Sequence, residues 1–312
     1  MPYGVSTKTA WSSACARPDQ ALQRLLDTGE LTASCVGLGL ESLLPGGIGW
    51  KTALHVRILH AKVRHALLRR KGEREWDITR FGVPINQEDM SATLLAFSVN
   101  VLVGIDFVSG VSLSESEKRD YLALWRYIGW LLGVETNTDK RVSGQPSFQE
   151  LPPLDPCGSG DGVIPDRGIL KANSLLQSFV FHLFYPDESS VEIAHHLLKI
   201  TDRKPPSQYL KKIPENFYKN DMYYFRCLQC RRFIGDPLAD ALELPLHPQF
   251  WKRSKLYLKS TFFLVAFRIY ILAAMWSPYL RKRIIGFHAG AFIKFHKMLN
   301  ESHQSKMAIV FA

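Results

Sequence analysis

The stretch from Trp50 to Arg70 constrains the fold most, because it contains no proline or glycine and repeats apolar residues every three or four positions. This period is typical of an amphipathic helix. Arg57, His60 and Arg64 lie within it in the spacing R-x-x-H-x-x-x-R, which a helix of ~3.6 residues per turn places on one face. Two fixed positive charges should keep His60 neutral, with a free nitrogen lone pair. A neutral imidazole on a stiff helix can be the axial ligand of a metal or a haem iron.

The same pattern also has an ordinary explanation. A single histidine on a helix is more often a half-buried packing residue than a ligand. Arginines on either side of it can equally be surface side chains that lay their methylene groups along apolar neighbours. The spacing alone therefore leaves both interpretations open.

The text in and around this helix resembles a known family. The matching stretches are RILHAKVRH (57–65), WDITRFGVPINQEDMSATLLAFS (76–98) and YLALWRYIGWLLGVE (121–135), with later parts of the same domain at 182–200 and 231–245. They resemble, in sequence order, the oxygenases that include bacterial latex-clearing rubber oxygenases and the fungal MpaB-type oxygenases bound to the endoplasmic reticulum. The resemblance is to the fungal branch and runs from about residue 20 to about residue 300.

The resemblance implies roles for five residues. His60 would be the proximal ligand of a b-type haem, with Arg57 and Arg64 orienting it or pairing with the haem propionates. Arg24 and Thr28, in QRLLDTGEL, match an arginine and a threonine that lie near the other haem face in the family. They would supply hydrogen-bond donors there.

The function implied is that of a haem-dependent oxygenase, which adds dioxygen across a carbon–carbon double bond of a hydrophobic, isoprenoid-type substrate. Two departures from the family keep an alternative open. Asp27 stands where rubber oxygenases carry a lysine, and their earlier acidic residue has no counterpart that we identify here. The alternative is a non-catalytic, membrane-associated member of the same fold that binds haem or lipid.

The positive charge of the chain is concentrated in its last part. Residues 251–312 hold eleven Lys or Arg and one acidic residue, so they carry the whole net charge of +10. Within them, residues 261–276 are apolar apart from Arg268, and three basic residues, 281–283, follow closely. This arrangement suits an anionic membrane surface, but a buried core helix with a basic collar is an equally good interpretation. The positive charge is the only feature that would suit a nucleic-acid partner, and we expect no such partner.

Helical periodicity is common along the chain and strand-like alternation is scarce, so we predict an all-α fold. We expect a single helical domain that, as the resemblance implies, encloses a b-type haem and continues into a basic, apolar helical tail. We expect an irregular lead at 1–18, the oxygenase-like domain at 19–300 and a short tail at 301–312. Within the domain, 136–168 is predicted to be a long flexible loop because Pro, Gly, Ser and Asp dominate it. Residues 251–283 would be the membrane-interface segment.

Several helix ends can also be predicted. A first helix should begin at Pro18 and end near Gly29. Asn86 can cap a helix that is apolar nearly all round and should therefore be central. The capping box Ser114-x-x-Glu117 should begin another helix, which Gly133 ends.

The remaining signals mainly exclude functions. Five scattered cysteines favour reduced thiols over a disulfide framework. The first twenty residues contain no hydrophobic segment, so no secretory signal is predicted, and the resemblance suggests association with the endoplasmic-reticulum membrane. The chain has no G-x-S-x-G, no H-E-x-x-H and no glycine-rich phosphate loop, so hydrolase, zinc-protease and kinase functions have no support.

Overall fold

A computed structural model of the chain describes residues 18–72, 75–135, 188–199 and 220–310, together with residues 174, 177 and 186. All regular secondary structure in these residues is helical, so the chain is all-α, as predicted. The predicted loop at 136–168 lies outside the described residues, as does almost all of the lead at 1–18.

The helices follow one another in two runs. The first run contains α1 (Pro18–Val36), a short 3₁₀ helix (Leu40–Leu43), α2 (Ile48–Leu68), α3 (Ile78–Phe81), α4 (Gln87–Phe97), α5 (Val99–Ser109) and α6 (Glu115–Leu132). The second run contains α7 (Glu188–Lys199), α8 (Asn220–Ile234), α9 (Asp236–Ala241), α10 (Phe250–Trp276) and α11 (Pro278–Val310).

Helix α1 does not stop near Gly29, contrary to the prediction, but continues to Val36. Its last turns are held by packing against α2, where Leu31 and Cys35 are buried. The two helices approach so closely that a Cβ atom on Gly49 would lie 2.6 Å from the Ser34 carbonyl oxygen. Tertiary burial of this kind outweighs the cost of one internal glycine, about 1 kcal/mol.

The main core lies where α1, α2 and α6 meet. Its centre is formed by Trp125 and Ile128 of α6, which are almost completely buried, against Ala53 of α2. Phe97, at the end of α4, stacks on Trp125 with ring centroids 5.4 Å apart. The middle of α2 therefore lies between the core and the surface.

The ends of α4 and α6 are set by the local signals that the sequence contains. Asn86 and Asp89 form a reciprocal capping box, as do Ser114 and Glu117. Gly133, with φ 95°, ends α6 in the left-handed conformation that glycine favours. The predicted helix starts and stop are confirmed.

The helix expected to be central is instead two helices that are only partly buried. The chain breaks at Ser98 between α4 and α5, whose φ and ψ of −100° and −83° are not helical. Leu95, Val99 and Leu102 are buried, but Val103 and Phe107 are exposed. Helix α5 packs against α4 and α10, and its Phe107 ring also contacts Phe233 of α8, with ring centroids 5.6 Å apart.

The second run is organised around α8, which contacts α7, α9 and α10. Tyr223 and Cys227 of α8 form a small core with Ala239 and Leu244. Cys35, Cys227 and Cys230, the cysteines in the described part, are free thiols, as predicted. Helix α11 packs on α10 and also reaches back to α1, so the two runs are joined.

Two helical segments in the described part are long and apolar enough to cross a membrane: residues 87–109, which include the break at Ser98, and α10. A bent pair, residues 24–36 and 40–68, passes the same test only if taken as one span, with a 115° bend. Only 11% of the most apolar window of α10 is buried. The interpretation of this segment as a buried core helix is therefore wrong.

Candidate functional site

His60 is half-buried on the exposed side of α2, on the face that also carries Arg57 and Arg64. Its Nδ1 atom is buried and has no hydrogen-bond partner. No other histidine in the described part of the chain has a buried ring nitrogen without a partner. Burial lowers the pKa of His60 below its usual 6.5, and the positive charge of Arg64 lowers it further. The imidazole is therefore neutral near pH 7. His65, its nearest rival on the helix, is exposed.

Arg64 is held by the loop that follows α3. Its Nε donates to the carbonyl oxygen of Pro84 at 3.1 Å, and its Nη2 donates to the carbonyl oxygen of Ile85. Ile85 has φ 55°, a left-handed conformation that is strained for a β-branched residue. The indole of Trp76 holds the same loop by donating to the Gly82 carbonyl oxygen at 2.7 Å. Arg64 is thus a positive charge fixed by two hydrogen bonds to the backbone.

Arg57 lies against the end of α6 instead. A Cβ atom on Gly133 would lie 3.0 Å from Arg57 Nε, so a larger residue there would require the arginine side chain to shift. The Gln87 side chain fixes this end, donating to the Gly133 carbonyl oxygen at 3.0 Å and accepting from Glu135 N at 3.0 Å. Among the described residues Arg57 makes no hydrogen bond or ion pair, so its guanidinium remains available to a carboxylate.

Arg24 and Thr28, the residues expected on the other haem face, lie on α1, which packs against α2. Both side chains are exposed. The Thr28 hydroxyl donates to the Arg24 carbonyl oxygen at 2.8 Å, one turn back along the same helix. The structure therefore brings their helix to α2 but leaves both side chains facing solvent.

The sequence motif gives Arg57 and Arg64 equivalent positions on the helix face, but in the structure the two side chains have different neighbours. Arg64 is bound to two carbonyl groups, whereas Arg57 lies free over a glycine. The residues that cause this difference, Pro84, Ile85 and Gly133, stand in the stretches 76–98 and 121–135 that carry the resemblance. Nothing in their spacing from α2 could have identified them as its neighbours.

The other described histidines have ordinary roles. His195 accepts or donates at both ring nitrogens, contacting Tyr223 Oη at 2.9 Å and the Glu243 carbonyl oxygen at 3.1 Å. His247 is buried and accepts from Gln249 N at 3.1 Å. Within the described residues, no group of three or more His, Cys, Asp or Glu side chains could hold a metal ion. A haem iron requires only one axial side chain, because the porphyrin supplies the other ligands.

In the described part of the chain, an all-α fold presents the half-buried imidazole of His60, whose buried Nδ1 has no hydrogen-bond partner, between the fixed Arg64 and the free Arg57. The family model described as "ER-bound oxygenase mpaB/B'/Rubber oxygenase, catalytic domain" matches residues 4–261. This is most of the chain, so the protein belongs to that family, and its general role is that of an oxygenase. No curated protein and no solved structure matches the chain.

Proposed function

We propose that the protein is a haem b-dependent oxygenase whose axial ligand is His60. The observation that carries the proposal is the buried Nδ1 of His60, which has no hydrogen-bond partner in a chain that belongs to an oxygenase family. Buried polar atoms are rarely left unsatisfied, and each one calls for an explanation such as strain, a catalytic role or a bound water or ion. In the described residues Asp106 Oδ1 and the indole nitrogen of Trp125 share this state, but neither of them lies in the arginine–histidine motif. A neutral imidazole with an unpartnered ring nitrogen is what an axial haem ligand requires, and this supports the proposal.

The chain's own contribution is to hold a neutral imidazole on a rigid helix. Burial and the fixed charge of Arg64 keep the pKa of His60 low, so a ring nitrogen stays unprotonated near pH 7. The carbonyl groups of Pro84 and Ile85 keep Arg64 in place. Arg57, with its donors free, is the residue that would pair with a haem propionate.

A haem b held there would supply dioxygen binding and oxidising chemistry, which no protein side chain provides. We propose a hydrophobic, olefinic substrate of the isoprenoid type. The exposed apolar surface of α10 and the term "ER-bound" in the family description support association with a membrane, where such a substrate would dissolve.

The visible spectrum tests the axial ligand. His60→Ala should abolish the Soret band of the purified protein, whereas His65→Ala, a change at an exposed histidine on the same helix, should leave it nearly unchanged. Arg57→Ala should speed the loss of haem to an apomyoglobin acceptor without altering the band position. Circular dichroism would show that each variant folds. A wild-type spectrum in folded His60→Ala would refute the assignment.

A second candidate is a non-catalytic haem- or lipid-binding member of the family. It is favoured by Asp27, which stands where rubber oxygenases carry a lysine, and by the exposed positions of Arg24 and Thr28 on α1. Oxygen consumption with an isoprenoid olefin separates the two candidates. A haem-loaded protein that consumes no oxygen beyond the rate of His60→Ala would be the non-catalytic member.

A further inference from the structure

Helix α10 exposes an apolar surface on nearly all sides. Its buried residues, Leu256, Ser260 and Leu264, form one stripe at four-residue steps, and this stripe is the side that faces the protein. The remaining sides carry large apolar residues, with Leu258 and Phe262 each 73% exposed. The most exposed of the others are Phe250, Trp251, Ile269 and Trp276. Exposed apolar surfaces of this extent mark protein or membrane interaction sites.

The charged side chains within residues 251–283 are all of one sign, and Glu117 of α6 lies near Arg281. Residues 251–283 contain eight Lys or Arg and no acidic residue. Four of the eight, at 252, 253, 255 and 259, precede the apolar stretch, and three, at 281–283, follow it. A second copy of the chain would bring like charges together at this surface, which is unfavourable. An anionic lipid surface is complementary to it.

Arg268, the eighth basic residue, interrupts the apolar stretch but is occupied by the protein. Its Nη2 donates to the Phe107 carbonyl oxygen at 3.1 Å and its Nε to the Val108 carbonyl oxygen at 3.3 Å. These carbonyl groups end α5, where the helix dipole favours a positive charge. Arg268 therefore joins α10 to α5 and does not oppose burial of the apolar surface in lipid.

The apolar surface is also firmly attached to the rest of the domain. Arg232 of α8 donates to Ser260 Oγ at 2.7 Å and to Thr261 Oγ1 at 3.1 Å. Beyond α10, the ring of Phe292 in α11 packs closely on Gly37. A Cβ atom on that glycine would lie only 2.5 Å from the ring. Residues 262–310, with most of the apolar surface, lie after the end of the family match at residue 261.

We propose that α10 is a docking surface for bilayers that contain anionic phospholipids. Its apolar residues enter the boundary between headgroups and acyl chains, and the two basic groups at its ends bind the headgroups. This deepens the membrane association in the proposed function and assigns it to a segment mostly outside the matched catalytic domain. The docking does not depend on haem.

Vesicle flotation tests the apolar contribution. Wild-type protein should float with vesicles of phosphatidylcholine mixed with phosphatidylserine, and binding should weaken with added salt. Leu258→Ser with Phe262→Ser should reduce binding by about tenfold or more. The matched control is Leu40→Ser with Leu44→Ser, which removes two exposed leucines near the 3₁₀ helix, at 75% and 59% exposure, and should bind like the wild type.

Charge reversal tests the electrostatic contribution. Lys255→Glu with Lys282→Glu should reduce binding to the mixed vesicles by roughly tenfold or more, with little effect on the weaker binding to pure phosphatidylcholine. Lys51→Glu with Lys71→Glu, at two exposed lysines elsewhere, is the control and should bind normally. His60→Ala should also float normally, so failure of the haem assignment and failure of the docking surface are distinguishable.

Three results would overturn the proposal. The first is wild-type protein that stays in solution with both kinds of vesicle. The second is a concentration-dependent dimer that Leu258→Ser with Phe262→Ser abolishes in the absence of vesicle binding, since a second copy would then cover α10. The third is tight binding of an RNA or DNA oligomer that Lys255→Glu with Lys282→Glu removes while vesicle binding is absent.

Discussion

Replacing Arg64 by methionine tests whether the loop that follows α3 is held by this side chain. Methionine keeps most of the aliphatic length and removes the charge together with the hydrogen bonds to Pro84 and Ile85. Hydrogen bonds to charged groups contribute about 1.5–3 kcal/mol each. Because Arg64 is half-exposed, water partly replaces it, and we expect the free energy of unfolding to fall by about 2–4 kcal/mol.

The matched control is Arg57→Met, the same change seven residues earlier on α2. Arg57 is exposed and makes no hydrogen bond or ion pair among the described residues, so the expected change is within about 0.5 kcal/mol. Urea denaturation of both variants, followed by circular dichroism, gives the two free energies. Equal losses in the two variants, or no loss in either, would refute the division of roles between these arginines.

Two further measurements on Arg64→Met identify the cause of the lost stability. Amide hydrogen exchange should accelerate in residues 82–86, because the strained backbone of Ile85 loses its partner and can relax. The pKa of His60, followed by its ring proton shift in haem-free protein, should rise when the nearby positive charge is removed. It should stay below 6.5, since burial is the larger cause of the lowered pKa. Unchanged exchange in residues 82–86 would mean that the hydrogen bonds from Trp76 and to Asp89 hold the loop without Arg64.

Two other outcomes follow from the site. In haem-free protein the pKa of His60 lies below its unfolded value of 6.5, so the unfolded chain takes up a proton first as the pH falls. The contribution of His60 to the free energy of unfolding should therefore be constant above pH 6.5 and decline below it. His60→Gln should remove this part of the decline, which a series of urea denaturations at different pH values would measure. Gly133→Ala should cost about 1–2 kcal/mol, because φ is 95° at this position. Gly133→Ala should cost the same in a protein that already carries Arg57→Ala, because that change removes the contact with the arginine but leaves the backbone strain. If the stability loss disappears there, the contact with Arg57, and not the backbone conformation, causes it.

Local signals in the sequence determined the helices and many of their ends. The capping boxes of Asn86 and Ser114 and the glycine stop at Gly133 are confirmed, because each depends on atoms only a few residues apart. The family resemblance is confirmed too, and with it the oxygenase class. The roles of Arg24, Thr28, Arg57, His60 and Arg64 toward a haem stay predictions.

Contacts between distant residues decided the rest. Helix α1 passes Gly29 because α2 buries its last turns, and α10 is a surface helix because few described residues cover it. Arg57 and Arg64 share a helix face but meet different partners, a glycine at the end of α6 and two carbonyl groups before α4. A pattern within one helix records which side chains share a face, whereas the neighbours of that face depend on how the whole chain packs.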